Sequence, residues 1–273
     1  MVVHVALVSK AKGISQTALS RVAGAMQKQV LRDFGPIWHV HASVDAYPTL
    51  AAVPLGAWPV ILMERIDDDA LGYHVDNHGQ PYALVKHTAG WEQTVSHEVL
   101  EMLADPFGNR VVAGQSIKPG QGRVRYLVEV CDPSEDTQWG YTVNGILVSD
   151  FYTPHFFDPV RNPAVRYSYT GAITAPRTIL RGGYLSWLDP VSGHMWQQVW
   201  FGASKQFRDL GPADVKARSL RAHVDRLTVR KELSKGVPAT KLKAARASSK
   251  TNERSSAAWA RGLEEEIEAT AGG

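Results

Sequence analysis

Apolar positions in the first hundred residues follow two periods, and their alternation predicts an order of elements. Val2–Val8 is a nearly unbroken aliphatic, β-branched run of the kind that forms a buried strand. From Ser15 to about Phe34, Leu19, Val22, Ala23, Met26, Val30 and Leu31 recur at helical spacing. Ser15 is placed to cap that helix, and Gly35-Pro36 predicts its end. Trp38–Val44 and Trp58–Met63 predict two further strands. Leu71–Val85 predicts a hairpin turning at Asp76-Asn77-His78-Gly79, whose residues tolerate positive φ. A second helix is expected from near Trp91 to Ala104. Gly90 or Thr88 caps it, the pre-proline restriction on Asp105 ends it, and Val95, Val99, Met102 and Leu103 supply its buried side.

Downstream, short β-like runs at Val124–Val130, Tyr141–Val148 and Met195–Trp200 are punctuated by Pro and Gly. They read as a continuation of the same domain. From about Asp214 the aromatic residues thin out and Ser, Ala and Lys take over. The expected organisation is an α+β domain over 1–212, β-rich in its later part, and a basic, largely disordered tail over 213–273, with helical character at Arg218–Leu233.

Composition changes this picture at three points. The overall charge of +3 is uneven: from Lys216 onward 13 Lys/Arg face 7 Asp/Glu, leaving 17 basic and 20 acidic residues before it. The basic tail suits an acidic partner. It lacks the aromatic stacking residues and motifs of a nucleic-acid reader, so nucleic acid is not expected. The single cysteine, Cys131, excludes an internal disulfide framework. With no membrane-length apolar run and no basic region before the first apolar stretch, the expectation is the cytoplasm, or a particle assembled there.

The chemistry concentrates in His97-Glu98-Val99-Leu100-Glu101. On a helix, positions four apart stack on one face, so His97 and Glu101 can reach one metal ion, with Glu98 beside them as a base. A third ligand is needed. Asp105, Glu129 and Asp132 compete. Glu129 is preferred, because a carboxylate between Val128 and Val130 requires a compensating charge when buried. Tyr152 and His155 are candidate donors to an oxyanion or substrate. His74, His78 and His87 read as surface residues, and Cys131 as a buried small hydrophobe.

His97-Glu98-x-x-Glu101, the element order and the preceding hairpin together resemble the zincin-like metallopeptidases, over roughly residues 1–135. The phrases Ser96–Pro106 and Glu129–Pro133 are also similar to those of uncharacterised bacterial and phage proteins. The zincin resemblance implies a mixed sheet with an N-terminal helix and an active-site helix. It implies zinc (manganese or iron also suit the donors) held by His97, Glu101 and Glu129, and Glu98 taking a proton from the attacking water. It further implies a peptide or protein substrate docking by strand addition along Tyr82-Ala83-Leu84-Val85. Glu101 stands where such enzymes carry a second histidine, which makes the ion a weaker Lewis acid. The rival expectation is a phage-related structural or binding protein that keeps this core without catalysis.

Overall fold

The computed structural model describes residues 2–66, 70–77, 79–214, 216–217 and 219–228. The N-terminal apolar run forms β1 (Val3–Ser9), in which Val5, Ala6, Leu7 and Val8 are all buried. It lies inside a mixed sheet of order β2-β1-β3-β5-β4. There β2 (Ala42–Tyr47), β3 (Trp58–Met63) and β5 (Gln80–Lys86) continue the parallel run, and β4 (Gly72–Asn77) is an antiparallel edge.

Helix α1 (Gln16–Lys28) starts as predicted, with the Ala18 N–H donating to Ser15 Oγ at 3.1 Å. It does not stop at Gly35-Pro36. A π-helical stretch (Gln29–Phe34) leads into α2 (Gly35–Trp38), completing a 23-residue helix. The register change lets Pro36 fall in the first turn of α2, where its missing N–H costs nothing. Gly35 is required there, since a Cβ would lie 2.6 Å from the Val40 carbonyl oxygen. The chain leaves at His39 with φ of 55°, so the next strand begins at Ala42 rather than Trp38.

The β4–β5 hairpin turns as expected, with Gly79 at φ of 83° and its N–H bonded to Asp76 Oδ2. His78 lies outside the described residues. One expectation fails: Tyr82–Val85 belongs to β5, which is paired on both sides, by β3 and β4. Of the two hairpin strands, β4 is the outer one, lying at the end of the sheet next to β5.

α3 (Trp91–Ala104) follows Gly90 at φ of 86° and ends at Asp105, whose N–H caps the Glu101 carbonyl. The sequence predicts one buried side, yet nearly the whole helix is buried, including His97, Glu98 and Glu101. It lies between the mixed sheet and a hairpin, β8 (Tyr141–Val143) and β9 (Ile146–Val148), turning at Asn144-Gly145 with positive φ. A closed polar bridge ties the layers. Ser96 Oγ donates to Gln29 Oε1, the Ser149 N–H to Ser96 Oγ, and Gln29 Nε2 to the Ser149 carbonyl, at 2.8–3.0 Å.

The β-rich segment is a second, antiparallel sheet of order β12-β11-β10-β7-β6. Its members are β6 (Val111–Gln115), β7 (Arg123–Leu127), β10 (Tyr184–Leu188), β11 (His194–Val199) and β12 (Gln206–Pro212). The segment assigned to the tail begins with α4 (Leu220–Leu227), which docks Val224 against Leu127 and Met195 of this sheet. Lys231–Lys250 and the rest of the basic tail lie outside the described residues. Among the described residues no helix is long and apolar enough to cross a membrane.

Candidate metal centre

The site is built around the turn of α3 that carries His97, Glu98 and Glu101. At about 100° per residue, Glu101 projects about 40° from His97 and about 60° from Glu98, between the two. It therefore has neighbours on both flanks.

One flank is closed by the chain after β7. That strand ends at Leu127, and the chain bends into a 3-10 turn, Asp132–Ser134. The bend brings both Glu129 and Asp132 to the helix instead of letting them alternate across a strand. Gly183 supports the turn: its backbone packs on the Pro133 carbonyl, leaving no room for a Cβ. The Cys131 N–H donates to Glu101 Oε1 at 3.1 Å, fixing one carboxylate oxygen.

His97 Nε2 stands 3.2 Å from Glu101 Oε2 and 3.3 Å from Asp132 Oδ1. All three atoms are buried and none makes a well-aligned hydrogen bond. Neighbouring ligands of a tetrahedral zinc ion lie about 3.4 Å apart when each bond is about 2.1 Å. The two separations match that spacing, and the donors suit a borderline or hard divalent ion. Three sets among the described residues bring possible ligand atoms within 4.8 Å of one another: His97, Glu101 and Cys131; Glu101, Glu129 and Asp132; and His74, Glu98 and Glu101. Glu101 belongs to every set. These buried groups can hold a metal ion.

A built-in cation shares the space. Arg221, the second residue of α4, is buried, and its Nη1 lies 2.6 Å from Asp132 Oδ2 and 3.1 Å from Glu129 Oε2. Its Nη2 lies 3.9 Å from Glu101 Oε2 and donates to the Tyr184 hydroxyl at 3.1 Å. Ser219 caps α4, and the Arg221 N–H bonds to the Gly108 carbonyl, so the guanidinium is delivered by backbone anchors.

The electrostatics reflect crowding of acids. Burial alone would lower the His97 pKa, but Glu101 and Asp132 outweigh it and hold the imidazole well above its ordinary value. Burial would raise that of Glu101, yet the positive charges of His97 and Arg221 keep it well below the usual carboxylate range. For Glu129 burial prevails over Arg221, and with Glu101, Asp132 and Asp105 nearby its pKa is pushed well up. Among the described residues, the buried carboxylates of Glu98, Glu101, Glu129 and Asp132 share the single guanidinium of Arg221, and burying unmatched charge is costly.

The structure thus brings His97, Glu98, Glu101, Glu129 and Asp132 together. The two acids differ in reach: Asp132 meets His97 with one oxygen and Arg221 with the other, whereas Glu129 pairs with Arg221. Asp105 is engaged by the Arg110 N–H as it closes α3. Tyr152 is buried with an unpartnered hydroxyl; burial and the neighbouring Glu129, Glu101 and Asp132 raise its pKa. His155 is half-exposed and bonded to Asp158, with no part in the cluster. Cys131 is buried as expected, which pushes its thiol pKa up. His87 is half-buried, edge-on to Trp91. His74 corrects the sequence reading, being buried against Glu98 rather than at the surface. Its signal was strand alternation, which puts Gly72 and His74 on one face of β4 under α3.

Comparison of the chain with protein-family models, curated proteins and solved structures gives no match in any of the three.

Proposed function

We propose that this chain is a metal-dependent hydrolase of the zincin-like kind, acting on an extended peptide. What carries the reading is the convergence of His97 Nε2, Glu101 Oε2 and Asp132 Oδ1, buried and lacking well-aligned hydrogen bonds, on one side of a helix beneath a mixed sheet. His97 and Glu101 hold the ion, with Asp132 as third ligand in place of Glu129. Zinc fits this donor set, and manganese or iron are also suited. A bound divalent ion supplies Lewis acidity and acidifies water. In a one-ion site Glu98 is the base, being next to His97 in sequence and on the same side of α3. Tyr152, kept neutral, is a hydroxyl donor for developing negative charge.

A second reading is favoured by a specific observation. His97, Glu98, Glu101, Glu129 and Asp132 are each no more than 5% exposed, and Arg221 covers the acids. A metal there would hold α3, the 129–134 segment and α4 together in a non-catalytic structural or binding protein. Incubating metal-loaded wild type and Glu98→Gln with a peptide library separates the two. Cleavage by wild type, lost in a Glu98→Gln protein that retains metal, supports the hydrolase. Metal retention without cleavage by wild type supports the structural role.

A further inference from the structure

On the flank of Glu101 away from Asp132, His74 of β4 presents a second imidazole to α3. Its Nε2 lies 3.1 Å from the Asp105 carbonyl oxygen. A carbonyl only accepts, so Nε2 carries the hydrogen and the lone pair of the neutral ring is on Nδ1. That atom faces Glu98 Oε2 at 3.5 Å, beyond good hydrogen-bonding distance. Both atoms are buried without a hydrogen-bond partner. In the neutral ring Nδ1 and Glu98 Oε2 are both acceptors, so relieving their contact takes either a proton or a cation between them. A backbone carbonyl on the far nitrogen is also how ligating histidines are oriented.

The strand is shaped for this approach. A Cβ on Gly72 would lie 2.7 Å from Glu98 Oε1 and 2.8 Å from Thr94 Cγ2, so only glycine lets Glu98 settle against β4. His74, Glu98 and Glu101 bring ligand atoms within 4.8 Å of one another.

We infer that His74, Glu98 and Glu101 hold a second divalent cation, with Glu101 shared between it and the ion at His97. The inference rests on the proposed metal site at His97 and goes beyond it. It gives Glu98 the role of ligand instead of free base. It also accounts for the place of Glu101, angularly between His97 and Glu98, and for its presence in every candidate set. One nitrogen and two carboxylates suit manganese, iron or zinc.

The test is manganese(II) binding by the full chain after removal of metal with chelator, read by equilibrium dialysis and electron paramagnetic resonance. Wild type is expected to bind two ions per chain and give the multiline spectrum of an exchange-coupled pair. His74→Ala and Glu98→Gln are each expected to bind one, with an uncoupled spectrum. Because the spectrum of wild type decides the matter alone, a variant that fails to fold does not obscure the result. A single uncoupled ion in wild type, unchanged by His74→Ala, overturns the second site and leaves the first standing. No bound ion in wild type overturns both. Glu98→Gln holding two ions while losing cleavage makes Glu98 a base and overturns its assignment as ligand.

Discussion

Arg221→Ala tests how the acidic cluster is neutralised. The guanidinium is buried, 2.6 Å from Asp132 and 3.1 Å from Glu129, and its removal leaves two carboxylates without their permanent partner. Removing one member of a buried ion pair costs about 3–5 kcal/mol. For a body of this size, about 2–4 °C of melting temperature is lost per kcal/mol, so the chelator-treated variant should melt roughly 10 °C below wild type. Metal should behave in the opposite sense. With Arg221 Nη2 only 3.9 Å from Glu101 Oε2, a divalent ion on that oxygen lies within about 6 Å of the guanidinium, and the lost repulsion is worth about 5 kcal/mol at an effective dielectric of 20. Zinc or manganese should therefore bind Arg221→Ala at least tenfold more tightly and restore most of the lost melting temperature. The assay is thermal denaturation by circular dichroism, with chelator and then with a metal titration. A variant melting within about 2 °C of wild type in chelator, or gaining no more from metal than wild type does, would refute the reasoning.

Other expectations follow from the same groups. His97, His74 and Glu129 have raised pKa values in the metal-free fold, so their contribution is complete below the unfolded-state values and is lost as pH rises through the folded ones. Melting temperature in chelator should fall from mildly acidic to alkaline pH, and saturating metal should flatten the trend; a rise with pH in chelator contradicts it. Glu101 and Asp33 have lowered values and work in the other direction, so acidification below about pH 4 should destabilise the protein, as followed by near-ultraviolet circular dichroism. Gly72→Ala should destabilise by about 1–3 kcal/mol in urea unfolding, since the new methyl meets Glu98 and Thr94. Gly183→Ala, whose new methyl would press on the Pro133 and Asp132 carbonyls, should weaken metal binding measured by calorimetry, through displacement of Asp132.

Much of this was legible in the chain, and what was not has physical reasons. The element order through α3 followed from hydrophobic period, the Ser15 cap and the pre-proline end at Asp105, all of which are local. The helix through Pro36 was not legible, because a π-helical stretch that accommodates proline leaves no periodic mark over six residues. Pairing partners are non-local, so the sequence could not tell that β5 is inside the sheet and β4 outside. Its valine neighbours favour Glu129 over Asp132 in the sequence, within a β-like run reaching Val130. The strand ends at Leu127, and a turn presents both acids. Arg221 was hidden by composition: its helix opens a stretch dominated by Lys, Arg and Ser, yet Ser219 as cap and Val224 on the packed face belong to the folded body.

The central claim is that His97, Glu101 and an acid from the 129–132 segment share a divalent cation. Anomalous diffraction at the zinc edge from crystals of zinc-loaded protein tests it most directly. The account predicts a peak about 2.0–2.2 Å from His97 Nε2, from Glu101 Oε2 and from an Asp132 carboxylate oxygen. A crystal grown in saturating zinc with no anomalous peak near His97, and Arg221 still filling the space among the acids, would contradict it.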